Sequence, residues 1–359
     1  MKRRDMLKAG GGLVALGGAA AVKAAEKAEF KWKMVMTWPK KFPGVGTNAE
    51  WFAEQVGKVT EGRVAVTLYG AGELVPPFEV FHALRDGIAD CAHGPAYYNK
   101  GVIPETEIFT AIPFGMTPLE LSAWFYFGGG IELLNELYAP FGVFAVPGGN
   151  SDIQMGGWFN KPIDTVADLK GLKIRAPGIT GEVFRLLGAT PVNMPGSEIF
   201  TSMQSGVIDA ADWIGPWNDQ AFGLQKVAKY YYGTWHEPGA ASDYMFNQKS
   251  FDALPEGLRE QVLMVARAAG ARQIFDYRAH NGPALRQLLE KDGVELRYYS
   301  DEVLKAMYDA SNQYLEEFAK KSDKAVKILE SYRNFQQSQQ AWSDNEAAYL
   351  EARKKLINS

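Results

Sequence analysis

EIFTSMQSGVID, residues 198–209, repeats the pattern of EVFHALRDGIAD, residues 79–90. Glu, Phe, Gly and Asp recur at identical spacing, with Val/Ile, Leu/Met and Ile/Val exchanges between them. Each copy reads as an amphipathic helix stopped by a glycine just past its end (Gly87, Gly206), then a strand beginning near the Asp. Each also follows a strand and a proline-containing turn (Pro76-Pro77 and Pro195). One supersecondary unit used twice predicts two related lobes.

Working outward, Phe30–Thr37 alternates as a strand, Asn48–Thr60 as a helix and Arg63–Tyr69 as a strand before the first copy runs into Ile88–His93. Around the second copy, residues 143–146, 154–160, 172–176 and 191–194 read as strands, and 165–170 and 181–187 as helices. Strands alternating with helices predict an α/β, two-lobed fold with mainly parallel sheets. A helical pattern over 255–291 predicts a long bridging helix, either one bent rod or two pieces, since Gly270 and Gly282 weaken it. The boundaries expected are lobe 1 at 25–150 with later segments returning to it, lobe 2 at 151–250, and the bridging helix with a return strand at 251–300. A helical C-terminal extension follows at 301–359. Tyr332, Phe335, Gln339 and Trp342 share one face of it, to pack on the chain's own lobes or on a second subunit.

LKGLKIRAPG, residues 169–178, places Arg175 at the carboxyl end of a strand whose Leu172, Ile174 and Ala176 face a core. Ligands of such sheets sit beyond the carboxyl ends of the strands. Arg175, His93-Gly94-Pro95 and Asp212-Trp213 are therefore expected around one crevice. Three further stretches crowd aromatics with a few polar groups: GGNSDIQMGGWFN with Gln154, AADWIGPWND with Asp212 and Trp213, and YYYGTWHEPG with Glu237. Aromatic walls with sparse polar groups make a small-molecule pocket.

Composition narrows the function. MKRRDMLKAGGGLVALGGAAAVKAA opens with a basic end, a short Gly/Ala-rich run and small residues before Ala24; residues 1–24 read as an export signal of twin-arginine type. Without them the chain keeps 33 basic and 41 acidic side chains, a net charge of −8, which argues against a nucleic-acid partner. One cysteine, Cys91, permits neither an internal disulfide nor a thiolate metal cage, and it reads as a buried free thiol. The four histidines form no metal motif, the glycine clusters lack nucleotide-loop context, and no nucleophile has an obvious base, so no enzymatic activity is expected.

The export signal, Trp38-Pro39, the two E-[VI]-F-x-x-[LM]-x-x-G-[IV]-x-D stretches and above all L-K-G-L-K-I-R resemble the solute-binding subunit of a tripartite ATP-independent periplasmic (TRAP) transporter, the DctP-like family. AADWIGPWND and the WHEPG turn resemble the branch that binds 2-oxo acids or lactate with a metal ion. The resemblance implies a periplasmic-binding-protein-like fold, in a periplasmic protein that closes two lobes on a small organic acid and delivers it to membrane subunits. It implies that Arg175 grips the substrate carboxylate, that Gln154, Asp212, the Trp213 carbonyl and Glu237 surround a cation that also touches substrate oxygens, and that Tyr97 and Tyr98 contribute from the opposite lobe. Asp212 stands where the family pattern has Glu, one methylene longer. Oxygen ligands suit sodium, the favoured ion, or calcium. A homodimer built on the C-terminal helix is also expected. The alternatives are another organic acid on the same fold, such as a sugar acid or dicarboxylate, and an exported enzyme.

Overall fold

The computed structural model describes residues 28–357, so the export-signal reading of residues 1–24 lies outside the described residues. In chain order β1 (Phe30–Met36), α1 (Val45–Val59), β2 (Val64–Tyr69), α2 (Val80–Arg85) and β3 (Cys91–Gly94) come first, then α3 (Pro118–Phe127), α4 (Gly130–Tyr138) and β4 (Val143–Asn150). The second lobe takes β5 (Gly157–Phe159), β6 (Lys173–Arg175), α5 (Gly178–Leu186), β7 (Thr190–Val192), α6 (Gly196–Gln204), β8 (Ala210–Ala211), α7 (Pro216–Phe222) and β9 (Tyr230–Tyr232). The chain then runs through β10 (Ala241–Asn247), α8 (Gln248–Asp252), α9 (Glu256–Glu290), β11 (Glu295–Arg297), α10 (Asp301–Ala319) and α11 (Asp323–Ile357).

The strands form two sheets, ordered β2-β1-β3-β10-β4 and β11-β9-β5-β8-β6-β7. Both are mixed: β10 runs antiparallel to β3 and β4, and β5 antiparallel to β8 and β9, so five of nine pairings are parallel. Parallel pairings are the majority, as expected, and the antiparallel ones come from chain routing: β10 leaves the second lobe and enters the first sheet head-on between β3 and β4. The repeated motif is built as its sequence says. Both copies end in a left-handed glycine, Gly87 at φ 69° and Gly206 at φ 72°, and a Cβ at either would meet no atom within 4 Å. The backbone conformation, not crowding, asks for glycine there.

The bridging helix α9 is one continuous rod of 35 residues with Pro283 inside it, about 52 Å long at 1.5 Å per residue. Its Val262, Ala266 and Ala269 share a buried cluster with Ala49, Phe52 and Val56 of α1. Each large aliphatic or aromatic side chain so buried contributes about 1.5–3 kcal/mol. Gly270 lets the helix approach β4 closely, since a Cβ there would lie 3.0 Å from the Pro147 carbonyl oxygen. The helical extension breaks between α10 and α11 without Pro or Gly. Ser322 supplies the break: its Oγ accepts from the Ala325 N–H and donates to Glu105. Tyr332 is buried and its hydroxyl accepts from the Met116 N–H, so the first third of α11 packs on its own chain. Trp342, Tyr349, Leu350, Leu356 and Ile357 stay exposed.

Candidate functional site

The carboxyl ends of β1 and β3 in one sheet face those of β6 and β8 in the other across a narrow cleft. Trp38, Pro95, Tyr97 and Tyr98 line it from the first lobe, Gln154, Trp213 and Ile214 from the second. Gly178, at φ 56°, touches the opposing Tyr97 so closely that a Cβ would lie 2.6 Å from its ring. The lobes are thus in contact.

Arg175 is 1% exposed on β6, an inner strand between β8 and the edge strand β7. Its Nε donates to the Met194 carbonyl (3.3 Å), Nη1 to the Asp212 carbonyl (2.8 Å) and Nη2 to the Tyr98 hydroxyl (3.0 Å). Its guanidinium lies 5.1 Å from the Trp213 ring centroid, a cation–π distance. A guanidinium has five N–H donors, so one hydrogen on each Nη has no acceptor among the described residues. The nearest carboxylate oxygen, Asp212 Oδ2, is 3.6 Å from Nη1 and makes no hydrogen bond to it. Its hydrogen bonds therefore all go to neutral acceptors, while Asp212 pairs with the cation at longer range without taking its free N–H groups. Burial works against its charge, but the surrounding groups, Tyr98, Asp212 and Glu237 among them, hold its pKa above the ordinary arginine value.

Opposite it stand acids and acceptors. Asp212 follows β8 directly, and Glu237 lies in the turn after β9; ligand atoms of Asp212, His236 and Glu237 all fall within 4.8 Å of one another. Gln154 lies in the loop between β4 and β5, not on a strand as its sequence suggested; its N–H donates to the Glu237 carbonyl. Three buried oxygens there, Gln154 Oε1, Asp212 Oδ2 and Glu237 Oε2, have no hydrogen-bond partner. Burying acceptors unpaired is costly, and a hard cation relieves that cost, so the donor set fits sodium or calcium. Burial first, and then the Asp212 charge, push the Glu237 carboxyl up to about 8.

Two residues of the site escaped sequence reasoning. His236, counted there as scattered, donates Nε2–H to Asp212 Oδ1 at 2.9 Å and leaves Oδ2 toward the cluster; its adjacency to Glu237 was the available signal. Burial works against its protonation, yet the Asp212 charge holds its pKa above the ordinary value. Asp219 fastens the loop that carries Asp212 and Trp213. It accepts from the Ile214 and Gly215 N–H groups, from Trp158 Nε1 at 2.9 Å and from the Tyr231 hydroxyl at 2.6 Å. Burial still raises its carboxyl to about 7. An acid in the first turn of a Pro-led helix was its signal. His93, by contrast, does not face the crevice. Its ring stacks on Tyr244 and meets Trp38 at a tilt behind the cleft wall, and burial lowers its pKa to about 3. Cys91 is buried and free, its thiol pushed up by burial.

Among the described residues no helix is long and apolar enough to cross a membrane. Residues 34–322 match the model of the DctP family, bacterial extracellular solute-binding protein, family 7. The chain is 38% identical over 321 residues to the monocarboxylate 2-oxoacid-binding periplasmic protein of Nostoc sp., covering 89% of this chain and 88% of that one. A TRAP periplasmic solute-binding protein from Pseudoalteromonas atlantica, solved with bound sodium and pyruvate, superposes with a TM-score of 0.88 at 38% identity, covering 90% of this chain and 98% of its own. One from Colwellia psychrerythraea, solved with calcium and pyruvate, has a TM-score of 0.88 at 37% identity, covering 90% and 99%. The chain belongs to the DctP family of extracytoplasmic TRAP solute-binding proteins, and it is a binding protein, not an enzyme.

Proposed function

We propose that the chain binds a 2-oxo or 2-hydroxy monocarboxylate, a pyruvate-like 2-oxo acid being favoured, and presents it to TRAP membrane subunits. The observation that carries this reading is a buried guanidinium with one free N–H on each Nη, facing three unpaired buried oxygens. A carboxylate takes the two N–H groups in parallel. Gln154, Asp212, Glu237 and the Trp213 carbonyl would hold the cation. It supplies positive charge between two protein carboxylates and an anionic ligand that would otherwise repel one another. Tyr97 and Tyr98 close the other side and exclude water.

The test is a thermal-shift and calorimetric screen of small carboxylates with sodium, with calcium and with neither. Pyruvate and its near relatives are expected to bind unchanged and cation-dependently. Failure of every 2-oxo and 2-hydroxy monocarboxylate in the presence of either ion would end the reading. For the exposed apolar tail of α11 we propose a second copy of this chain as partner. The tail bonds Glu120 on α3 through Ser343, and an apolar groove lined by Leu119, Tyr126 and Phe275 opens between α3 and α9.

A further inference from the structure

The wall of the cleft opposite the acids ends in a hydrogen-bond chain whose direction can be read from groups that only accept or only donate. Arg272 Nη1, which only donates, bonds Asn48 Oδ1 at 3.3 Å. Asn48 Nδ2 therefore faces the Ala269 carbonyl (3.0 Å) and Gln273 Oε1 (3.2 Å). That fixes the Gln273 amide, whose Nε2 donates to Ser242 Oγ at 3.3 Å. From the other side His93 Nε2 lies 3.3 Å from the Gly148 carbonyl and 3.2 Å from Ser242 Oγ. A carbonyl only accepts, so Nε2 carries the ring proton, and a neutral ring agrees with burial that lowers its pKa to about 3. Ser242 Oγ thus accepts from Gln273 and shares the single His93 Nε2–H with the Gly148 carbonyl, and its own hydrogen has no acceptor among the described residues. Ser242 is 4% exposed and lines the cleft.

We propose that Ser242 is a specificity-determining donor: its hydroxyl, polarised by the Arg272–Asn48–Gln273 chain and by His93, hydrogen-bonds an uncharged acceptor at the end of the ligand remote from its carboxylate. The proposal rests on the carboxylate reading above. It names the ligand class more closely, a 2-oxo acid longer than pyruvate with a hydroxyl or carbonyl oxygen near its fourth carbon. Reach supports that length. Gln154 Nε2 bonds Ser151 Oγ, and Ser151 N–H bonds the Ala240 carbonyl, which locates the cation end of the cleft beside Ala240. Ser242 is two residues further along the chain, a reach of at most roughly 7 Å at about 3.3 Å per residue, and Ala240 and Ser242 both line the cleft. Each donor in the chain strengthens the next, so the terminal O–H is a better donor than an isolated serine.

The experiment compares two acids of equal length and charge, 2-oxopentanoate and 4-hydroxy-2-oxopentanoate, by calorimetry with calcium present. The wild-type chain is expected to prefer the hydroxylated acid by about three- to tenfold, the range of one net hydrogen bond. Ser242→Ala is expected to shrink that preference to within twofold. Gln273→Glu replaces the donor by a carboxylate that accepts from both Asn48 and Ser242. It turns the serine hydrogen away from the cleft and is expected to cancel the preference as well, whatever its effect on overall affinity. Equal binding of the two acids by the wild type, or a preference that survives both substitutions, overturns the proposal while leaving the carboxylate reading standing. Binding of neither acid, nor of pyruvate, overturns the carboxylate reading itself and this proposal with it.

Discussion

Replacing Arg175 by Lys keeps the charge and removes the fork. Three of the five guanidinium N–H groups already serve Met194, Asp212 and Tyr98, and the two left over lie on different nitrogens. An ammonium has three hydrogens on one nitrogen. The Asp212 carbonyl and the Tyr98 hydroxyl compete for them, so a carboxylate receives one bond at most. A hydrogen bond to a charged group contributes about 1.5–3 kcal/mol. The variant should therefore bind pyruvate about tenfold to 150-fold more weakly, at about 1.4 kcal/mol per factor of ten. Calorimetry in saturating calcium measures this directly. Calcium binding in the absence of pyruvate is the internal control: the variant preserves the positive charge near Asp212, so that affinity should stay within about threefold. A pyruvate Kd within threefold of wild type would refute the assigned role of the guanidinium, because nothing else in the substitution compensates a lost parallel bond.

Removing the cation should be equally informative: in chelated, sodium-free buffer pyruvate affinity is expected to fall at least tenfold, since the ligand oxygens then lose the ion that bridges them to Gln154, Asp212 and Glu237, and unchanged affinity would eliminate the bridging ion. Glu237→Gln should weaken calcium binding measured with the metal alone. Asp243 is buried with both oxygens unpaired, and burial raises its carboxyl well above the usual range. The folded state keeps a proton that the unfolded chain releases above about pH 4, so this group lowers stability as pH rises from its unfolded pKa toward its folded one, by up to about 1.4 kcal/mol per pH unit. Asp243→Asn removes that slope; its stability change by denaturant unfolding should be more favourable at pH 8 than at pH 5, and an equal change at both would refute the assignment. Deleting residues 345–359 should convert a dimer to a monomer in sedimentation while pyruvate binding persists, and a full-length chain that is already monomeric would refute the second-copy proposal. A cut at residue 325 would not test it, because Ala325, Ile328, Leu329 and Tyr332 are buried in the fold.

The fold was legible where local chemistry forces the backbone. A left-handed glycine closes both copies of the repeated motif, and a residue with a Cβ could not hold that turn cheaply. The first half of β1 alternates, with Lys31 and Lys33 exposed around buried Trp32, and α9 buries side chains at helical spacing from Leu258 to Leu288. Strand direction was not legible. β10 reads ASDYMFN, and nothing in a seven-residue pattern says whether its neighbours run with it or against it. Its orientation follows from where the chain comes from, and that is set by packing of the two lobes. The break before α11 was hidden for a different reason: a serine cap stopped the helix, and serine also sits inside helices without ending them.

The site divides along the same line. Arg175, Asp212, Trp213, Tyr97 and Tyr98 sit at or just past the carboxyl ends of strands, which sequence pattern locates well, and they do converge. Gln154, Glu237, His236 and Asp219 lie in loops or in the first turn of a short helix. Loops obey no periodicity, so their convergence depends on long-range bonds such as Trp158 to Asp219 across 61 residues. Ser242 and Gln273 were invisible for a further reason. Each looks like an ordinary polar residue in a strand or a helix, and only the direction of the hydrogen bonds around them separates a donor held toward the ligand from a satisfied core hydroxyl. Direction is a property of the whole chain from Arg272 inward. Breaking it at any link, Asn48 as much as Gln273, should therefore change ligand preference without any residue in the cation cluster being touched.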